Sequence, residues 1–234
     1  MVKALILAGG LGKRLRPLTS DKPKPLISVA GKPIMAWQFE WLKKHGIDEV
    51  VLAVGYLKER VMNEIGSGRK YGVKVSYVVE EEPLGTAGAV KNAELVLRRE
   101  DYFVVLNGDI ITNIELDRMF KIVKETPNIT GVIAVVPLPS PYGIIDFDEK
   151  TGYVRKFMEK PIIKSYWINA GIYVFTPSIF QYLPDKGDIE RTVFPILAKK
   201  QLIKAVAFEG VLWKSIDTYK DIEEAEKLLS TIKL

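Results

Sequence analysis

Cysteine is absent from this chain of 234 residues, and histidine occurs only once. The absence of cysteine excludes disulfides and thiolate metal sites, and it fits a cytoplasmic protein. The one histidine, His45, precedes Gly46 at the end of a predicted helix and has no second histidine with which to share a metal. No apolar run approaches the ~18 residues that a membrane span requires. We therefore expect no membrane segment and, since no small-residue cleavage site follows Lys3, no signal peptide.

Most of the chain has no net charge. Six cations and one anion lie between Lys13 and Lys32, so this segment carries the whole net charge of +5 and the remainder is neutral. A focused basic segment suits a small polyanion better than the long backbone of a nucleic acid. We therefore expect a small phosphorylated ligand and no nucleic-acid partner.

The hydrophobic pattern predicts one α/β domain. Short β-branched runs predict strands at 2–8, 49–54, 73–79 and 102–106, and amphipathic stretches between them predict helices at 34–45, 58–66 and 86–97. Such alternation is typical of βαβ units, so we expect a Rossmann-like three-layer sandwich with a mostly parallel mixed sheet. Beyond residue 131 the pattern predicts strands at 131–136, 143–148, 153–157 and 171–176, then helices at 189–200 and 218–231.

Three closely spaced glycines, Gly9, Gly10 and Gly12, follow the first predicted strand. Without side chains the backbone can bend there and turn its amides toward an anion. Arg14 and Lys24 add a planar fork and a point charge beside this loop, which predicts a polyphosphate site. A dinucleotide fingerprint would need glycine at Leu15, and a Walker loop would need Ser or Thr at Arg14. The alternative is an ordinary glycine-rich turn with solvated cations.

The stretch from Leu7 to Leu26 resembles the signature of the sugar-1-phosphate nucleotidylyltransferases, G-G-x-G-x-R-L-x-P-L-T followed by P-K-P. Every fixed letter is present, and the resemblance continues to about Glu226. It implies an enzyme that joins a nucleoside triphosphate to a sugar 1-phosphate and releases pyrophosphate. It also implies a nucleotide-binding half at 1–112 and a sugar-phosphate-binding half at 113–234. Many relatives carry a carboxyl-terminal β-helix domain, which we do not expect in this chain.

The resemblance assigns roles to individual residues of the first half. Arg14 and Lys24 become the catalytic cations, which grip the pyrophosphate and the α-phosphoryl oxygens. The residues that it implies for nucleotide binding are Leu7, Gly9, Gly10, Gly12, Lys13, Glu80, Pro83, Gly85 and Thr86.

Asp109 is delivered at the carboxyl edge of the sheet by the apolar strand before it, and a carboxylate there can hold Mg2+. Asn107-Gly108-Asp109 could equally be a plain turn, but the resemblance implies a metal-binding aspartate at Asp109. For the second ligand the family has W-x-D-x-G-T, whereas this chain has Ser215 at the aspartate position and Asp217 two residues later. We predict that Asp217 takes the metal role; the alternative is that it only caps the helix that follows.

Glu80 stands where many uridylyl and thymidylyl members of the family have glutamine. Guanine presents two adjacent N–H donors that one carboxylate can accept, whereas an amide suits uracil or thymine better. Glu80 therefore favours GTP, and the resemblance agrees, because members that form GDP-mannose carry glutamate before Pro-Leu-Gly-Thr-Ala-Gly. Some uridylyl relatives also have glutamate here, and Glu80, Glu81 and Glu82 could form a solvated turn.

The second half contains further elements that match the family. The resemblance implies sugar hydroxyl contacts from the glutamate of Glu-Lys-Pro and phosphate contact from its lysine, with additional contacts near Trp167 and Tyr142. Taken alone, each segment reads as a strand-end turn. The residues predicted to bind the sugar phosphate are Asn107, Gly143, Glu159, Lys160, Asn169 and Gly171.

The resulting hypothesis is transfer of a guanylyl group from GTP to mannose 1-phosphate with Mg2+ as cofactor. The alternatives are a UTP- or dTTP-dependent glucose-1-phosphate enzyme and a non-catalytic subunit that binds sugar nucleotides. Such subunits tend to lose the signature arginine and lysine, and both are present here. The sequence leaves open the identity of the sugar and whether the chain forms a homo-oligomer.

Overall fold

The computed structural model describes residues 2–231. Its strands, numbered in chain order, are β1 (Lys3–Leu7), β2 (Ser28–Val29), β3 (Lys32–Pro33), β4 (Glu49–Val54), β5 (Lys74–Val79), β6 (Phe103–Asn107), β7 (Ile110–Thr112), β8 (Gly131–Pro139), β9 (Ile144–Phe147), β10 (Val154–Met158), β11 (Ile162–Phe175), β12 (Ile203–Ala207) and β13 (Trp213–Ser215). Its α-helices are α1 (Ile34–Lys44), α2 (Lys58–Ile65), α3 (Gly85–Asn92), α4 (Glu94–Leu97), α5 (Asp117–Glu125), α6 (Ile189–Thr192), α7 (Phe194–Lys199) and α8 (Tyr219–Thr231). Short 3-10 turns cover Lys13–Leu15, Lys24–Leu26, Arg69–Tyr71 and Pro177–Gln181.

Within residues 2–231, seven strands form one central sheet in the order β12-β8-β11-β6-β1-β4-β5. β1 pairs in parallel with both β4 and β6, so that Leu7 lies opposite Ala53 and Asn107. β11 alone is antiparallel, and it pairs with β6 on one side and β8 on the other. The expected α/β class with a mostly parallel mixed sheet is confirmed.

Helices cover both faces of the sheet. Along β1, Ala4 and Ile6 pack on one face and Leu5 packs on the other, because successive side chains of a strand point in opposite directions. The first face is covered by α1, α2 and α5, and the second by α3, α4, α6 and α7. This is the expected three-layer sandwich. Burying each large apolar side chain of these layers contributes ~1.5–3 kcal/mol relative to leaving it exposed.

Two predicted helices are interrupted, and this corrects the sequence-based prediction. The stretch 86–97 divides at Ala93, whose amide bonds to the Val90 carbonyl three residues back and so tightens the chain. The stretch 189–200 divides at Val193, where Pro195 lies in the first turn of α7. Proline has no amide hydrogen to donate and is best accommodated at a helix start, so a new helix begins there.

Several elements were missed or shortened by the sequence-based prediction. The predicted strand 171–176 is the end of β11, which begins at Ile162 and whose first half is mostly exposed. α5 was missed because its short buried stripe, Met119, Phe120 and Val123, lies among charged residues. The strands β2, β3, β7, β12 and β13 were also missed. The other predicted strands and helices are present, with bounds that differ by a few residues.

β9 and β10 form a two-stranded antiparallel ribbon that does not join the central sheet. Large apolar side chains are exposed on this ribbon and beside it, among them Tyr142, Phe157, Ile162 and Tyr166. Across residues 2–231, no helix has the length and apolar character needed to traverse a bilayer.

Candidate active site

A cavity of about 400 Å3 opens at the carboxyl edge of the sheet, where β1, β5 and β6 end. Loops that leave parallel strands meet at this edge, which is where open α/β sheets bind ligands. Most of the residues predicted for phosphate, base and metal lie here. The predicted site residues that line the cavity are Leu7, Gly9, Gly10, Gly12, Lys13, Arg14, Lys24, Glu80, Pro83, Gly85, Thr86, Asn107, Asp109 and Asp217.

The glycine loop follows β1 and turns back on itself at Gly12. Gly12 has a φ of 58°, a left-handed conformation that side-chain-bearing residues rarely adopt. Its carbonyl accepts hydrogen bonds from the Leu15 amide at 3.0 Å and from the Thr19 hydroxyl at 2.8 Å. Thr19 is fully buried and was not singled out from the sequence. The loop shape is therefore fixed by internal hydrogen bonds, with the cavity left open beside it.

Charged groups converge at the mouth of this cavity. The Lys24 Nζ lies 2.6 Å from Asp109 Oδ2 and 2.7 Å from Asp217 Oδ1. Arg14 also donates to Asp217 Oδ1, at 2.8 Å, while 73% of its side chain stays exposed. Burial raises the pKa of Asp217, but hydrogen bonding and charge from Lys24, with help from Ser215 and Arg14, more than offset this and leave the pKa below its ordinary value.

Asp217 reaches this cluster through backbone pairing. β13 pairs with β7, with Ser215 opposite Ile110, and the Ile216 amide bonds to the Asp109 carbonyl at 2.9 Å. The two aspartates are thereby drawn together from distant parts of the chain. The alternative that Asp217 only caps a helix is not supported.

The cap of α8 is formed by other residues. The Thr218 hydroxyl accepts from the Asp221 amide at 3.3 Å, and Asp221 Oδ2 accepts from the Thr218 amide at 2.8 Å. Such reciprocal bonds resemble a capping box. The Asp217 carboxylate instead contacts Lys24, Arg14 and Ser215.

The donor set fits Mg2+. Asp109 and Asp217 each direct an oxygen at one point, which Lys24 fills, and both carboxylates are partly exposed to the cavity. Among residues 2–231 there is no group of three or more histidine, aspartate or glutamate residues that could hold a metal. Mg2+ does not need one, because it usually binds through one or two carboxylates together with water and substrate phosphates.

Glu80 differs from the two glutamates that follow it. It is only 8% exposed, and its carboxylate accepts one hydrogen bond, from the Leu84 amide at 3.3 Å. Burial raises the pKa of Glu80, and that hydrogen bond offsets only part of the rise. The side chains of Glu81 and Glu82 are exposed and pair with Lys58 and Lys186. The solvated-turn interpretation therefore holds for Glu81 and Glu82 and fails for Glu80.

The residues predicted to bind the sugar phosphate fall into two groups. Gly171 has a φ of 70°, and a Cβ there would lie 2.7 Å from Asn107 Nδ2, so only glycine lets β11 approach this cavity residue. The Gly171 amide bonds to Asn169 Oδ1 at 2.9 Å. These three residues thus lie together beside the cavity.

The second group lies on and beside the β9–β10 ribbon, away from the cavity lining. A Cβ at Gly143 would lie 2.9 Å from Glu159 Oε2, and Lys160 Nζ lies 3.5 Å from Glu159 Oε1. The side chains of Glu159 and Lys160 are both more than half exposed. Their role in sugar binding stays a prediction, as does the division of the chain at residue 112.

Gln38 was missed by the sequence-based prediction. It lies on the buried face of α1, between Ile34 and Leu42, and its Nε2 donates to the carbonyls of Asn107 at 2.9 Å and Ile110 at 3.0 Å. It thereby fixes the turn that carries Asp109. A polar residue within an apolar helical stripe is the signal that could have identified it.

A hydrogen-bonded chain of side chains was also missed. Thr86 donates to Glu190 at 2.8 Å, Tyr173 donates to Glu190 at 3.3 Å, and Asn169 donates to Tyr173 at 2.7 Å. Burial, together with the nearby Glu190 charge, strongly raises the pKa of Tyr173, so the phenol stays protonated. These hydrogen bonds link the first turn of α3 to the segment predicted to bind sugar.

Comparison with known proteins gives matches over nearly the whole chain. A family model described as nucleotidyl transferase matches residues 3–231. Proteins named mannose-1-phosphate guanylyltransferase catalytic subunit beta, from Danio rerio and Dictyostelium discoideum, are each 39% identical over 225 residues. These matches cover 94% of this chain and 62% of each relative, so the chain spans less than two thirds of their length.

Solved structures agree with the fold. HddC from Yersinia pseudotuberculosis has a TM-score of 0.75 at 28% identity, and the match covers 98% of this chain and 100% of that chain. A second structure of HddC, in complex with GMP-PN, has a TM-score of 0.73.

We predict that Gln38→Met, which keeps the side-chain length but removes the amide donors, lowers the free energy of unfolding by ~1–3 kcal/mol. The reason is that two buried carbonyls lose their hydrogen-bond partner. Chemical denaturation measures the change. Lys44→Met, at an exposed position of the same helix, serves as the control and should change stability by less than ~0.5 kcal/mol. Equal effects of the two substitutions would show that the hydrogen bonds of Gln38 do not stabilise the turn.

Proposed function

The chain belongs to the nucleotidyl transferase family, and we propose that it transfers a guanylyl group from GTP to mannose 1-phosphate and releases pyrophosphate. One observation carries the proposal. Arg14, Lys24, Asp109 and Asp217 meet at the mouth of a cavity lined by the glycine loop. Two cations, and two carboxylates that could hold a metal ion, beside a glycine loop are the parts that phosphoryl-group chemistry requires.

The reaction is an in-line displacement at the α-phosphorus of the nucleotide. An oxygen of the sugar phosphate forms the new P–O bond, and the bond from the α-phosphorus to the bridging oxygen breaks, with pyrophosphate as the leaving group. The attacking phosphate is already ionised at neutral pH, so no general base and no covalent enzyme intermediate is required. Catalysis then depends on positioning and on stabilising charge.

Different residues of the chain would bind the phosphates and the metal ion. Arg14, exposed at the cavity mouth, would donate to the departing pyrophosphate, and Lys24 would neutralise the α-phosphoryl oxygens. The amides of the loop from Gly9 to Gly12 would receive the remaining phosphate oxygens. Asp109 and Asp217 would hold Mg2+, which when bound offsets the charge repulsion between the two phosphorylated substrates.

The sugar phosphate would bind on the other side of the cavity mouth. Asn107, Asn169 and Gly171 lie together there, and their amide and backbone groups can bond to sugar hydroxyls. Lys160 and Glu159, on the exposed ribbon, would complete the site by pairing with the phosphate and with hydroxyls. This part of the proposal is supported by the Glu-Lys-Pro and Asn-Ala-Gly segments of the sequence.

Guanine is supported by the environment of Glu80. Its buried carboxylate has one weak partner and lies among the cavity residues, so two adjacent N–H donors of a base would satisfy it. Relatives named as mannose-1-phosphate guanylyltransferases and a structural neighbour in complex with GMP-PN agree with this choice. UTP or dTTP with glucose 1-phosphate remains the competing pair, because a protonated Glu80 could bond to uracil or thymine.

An assay of pyrophosphate release tests the proposal directly. Five nucleoside triphosphates, GTP, UTP, dTTP, ATP and CTP, are each combined with mannose, glucose and N-acetylglucosamine 1-phosphates in the presence of Mg2+. We expect GTP with mannose 1-phosphate to give the highest kcat/KM. Release with no pair would refute transferase activity, and fastest release with UTP or dTTP and glucose 1-phosphate would establish the competing pair.

Arg14→Ala should lower turnover by ~100-fold or more, because one donor to the transition-state charge is removed. Arg16→Ala is the matched control, since Arg16 belongs to the same loop and carries the same charge but does not line the cavity. Steady-state pyrophosphate release measures both variants. Similar losses in the two would mean that general charge, and not a contact from Arg14, supports the reaction.

Glu80→Gln should lower the ratio of kcat/KM for GTP to that for UTP by ~10-fold or more. The amide keeps the size of the side chain but cannot accept both guanine donors, whereas it can pair with uracil. Competition between the two nucleotides in one reaction gives this ratio directly. The control is Glu81→Gln, at a neighbouring carboxylate whose side chain is 83% exposed, and it should leave the ratio unchanged. An unchanged ratio in Glu80→Gln would remove Glu80 from base selection.

A further inference from the structure

The Lys24 ammonium lies at the point shared by the two predicted metal ligands. It is 2.6 Å from Asp109 Oδ2 and 2.7 Å from Asp217 Oδ1, so one nitrogen bridges both carboxylates. Among residues 2–231, no other cation bonds to both; Arg14 contacts Asp217 alone. Lys24 therefore holds the oxygens that a divalent ion would need.

The position of this ammonium depends on its partners and not on the backbone alone. Lys24 begins a 3-10 turn in which Pro25 and Leu26 are buried, so the main chain is anchored there. The lysine side chain adds a flexible four-carbon stem that can carry its charge to another acceptor nearby. Since 14% of the side chain is exposed and it lines the cavity, an entering anion can reach it.

The charges at this point allow either the Lys24 ammonium or a divalent ion to bind between Asp109 and Asp217, but not both. With Lys24 and Arg14 in contact, the two carboxylates are already neutralised. A divalent cation at the same oxygens would lie within a few ångströms of the ammonium and would be strongly repelled by it. The ion and the ammonium therefore compete for one place.

We propose that Lys24 closes the metal site in the nucleotide-free protein, and that the phosphates of the nucleotide draw the ammonium away so that the divalent ion can bind. This inference rests on the proposed function. It gives Lys24 two successive positions, first between the aspartates and then on the α-phosphoryl oxygens. Nucleotide binding thus opens the metal site and supplies the catalytic cation in one movement.

We call the closure of the metal site by Lys24 the lock. Measuring metal binding in the absence of nucleotide tests it. Mn2+ serves as the probe, and the free ion is measured by electron paramagnetic resonance during titration of the full chain. We expect Lys24→Met to bind Mn2+ ~10-fold or more tightly than the unsubstituted protein, since a site that is closed nine-tenths of the time loses that factor in apparent affinity. Equal affinities of the two proteins would overturn the proposal.

Two variants control for changes in overall charge. Lys13→Met removes a cation that lines the same cavity but forms no ion pair with a carboxylate within residues 2–231, so it should keep the weak Mn2+ affinity. Lys24→Arg keeps a cation at the critical position and should also bind Mn2+ weakly. Tightening in Lys13→Met equal to that in Lys24→Met would show that the effect is general electrostatics, and it would overturn the lock.

A measurement on the unsubstituted protein does not depend on how the variants fold. Lysine-selective NMR should detect the bridged Lys24 ammonium through slow proton exchange, with no change on addition of Mg2+ alone and a clear shift on addition of GTP with Mg2+. A shift with Mg2+ alone would overturn the lock. Pyrophosphate release by the same sample reports separately on the proposed function, so the failure of one does not imply the failure of the other.

Discussion

Two ionised carboxylates from distant parts of the chain repel each other when they lie at one point, unless a cation or a shared proton lies between them. Asp109 and Asp217 are brought together by the pairing of β7 with β13 and by the hydrogen bond from the Ile216 amide to the Asp109 carbonyl. Lys24 relieves their mutual repulsion. The free energy for holding like charges together comes from buried backbone pairing and from Gln38, which bonds to both sides of the Asp109 turn. The charged centre is thus imposed by the hydrophobic framework beneath it.

The framework achieves this because parallel strands end at a common edge. β1, β5 and β6 deliver the glycine loop, Glu80 and Asp109 to one side of the sheet, and β11, the single antiparallel strand of that sheet, brings Gly171 against Asn107. The residues proposed to bind the phosphates therefore lie on anchored turns. The Glu-Lys-Pro segment differs, because its ribbon is exposed and stands outside the central sheet. In the proposed function, an anchored phosphate site beside an exposed segment for the sugar would suit a reaction in which one phosphorus must be aligned and a second substrate must enter.

The sequence predicts those parts of the site that lie within one short segment, and it does not predict contacts between distant segments. The glycine loop, Arg14, Lys24 and Asp109 are recognisable from short segments, and the alternation of strands and helices predicts the sheet edge where they meet. The pairing that brings Asp217 to Asp109 involves β7 and β13, three-residue strands with no period long enough to detect. Gln38 and Thr19 act through buried hydrogen bonds to backbone carbonyls, which only the fold reveals. Helical periodicity likewise does not predict the interruptions at Ala93 and Val193, although Pro195 indicates that a new helix could begin near Val193.

The phosphate end and the base end of the cavity differ in how well the free protein satisfies them. At the end of the cavity proposed for the phosphates, Lys24, Arg14, Asp109 and Asp217 already form ion pairs with one another. A polyphosphate would have to displace these pairs and would gain modest net affinity from the exchange. At the end proposed for the base, Glu80 is buried and accepts one long hydrogen bond. Its raised pKa means that the ionised carboxylate is less stable here than it would be in water. A base with two adjacent N–H donors would stabilise the ionised carboxylate, whereas a base without them would not. In the proposed function, phosphate contacts would align the reacting atoms, and the buried carboxylate of Glu80 would discriminate between nucleotides.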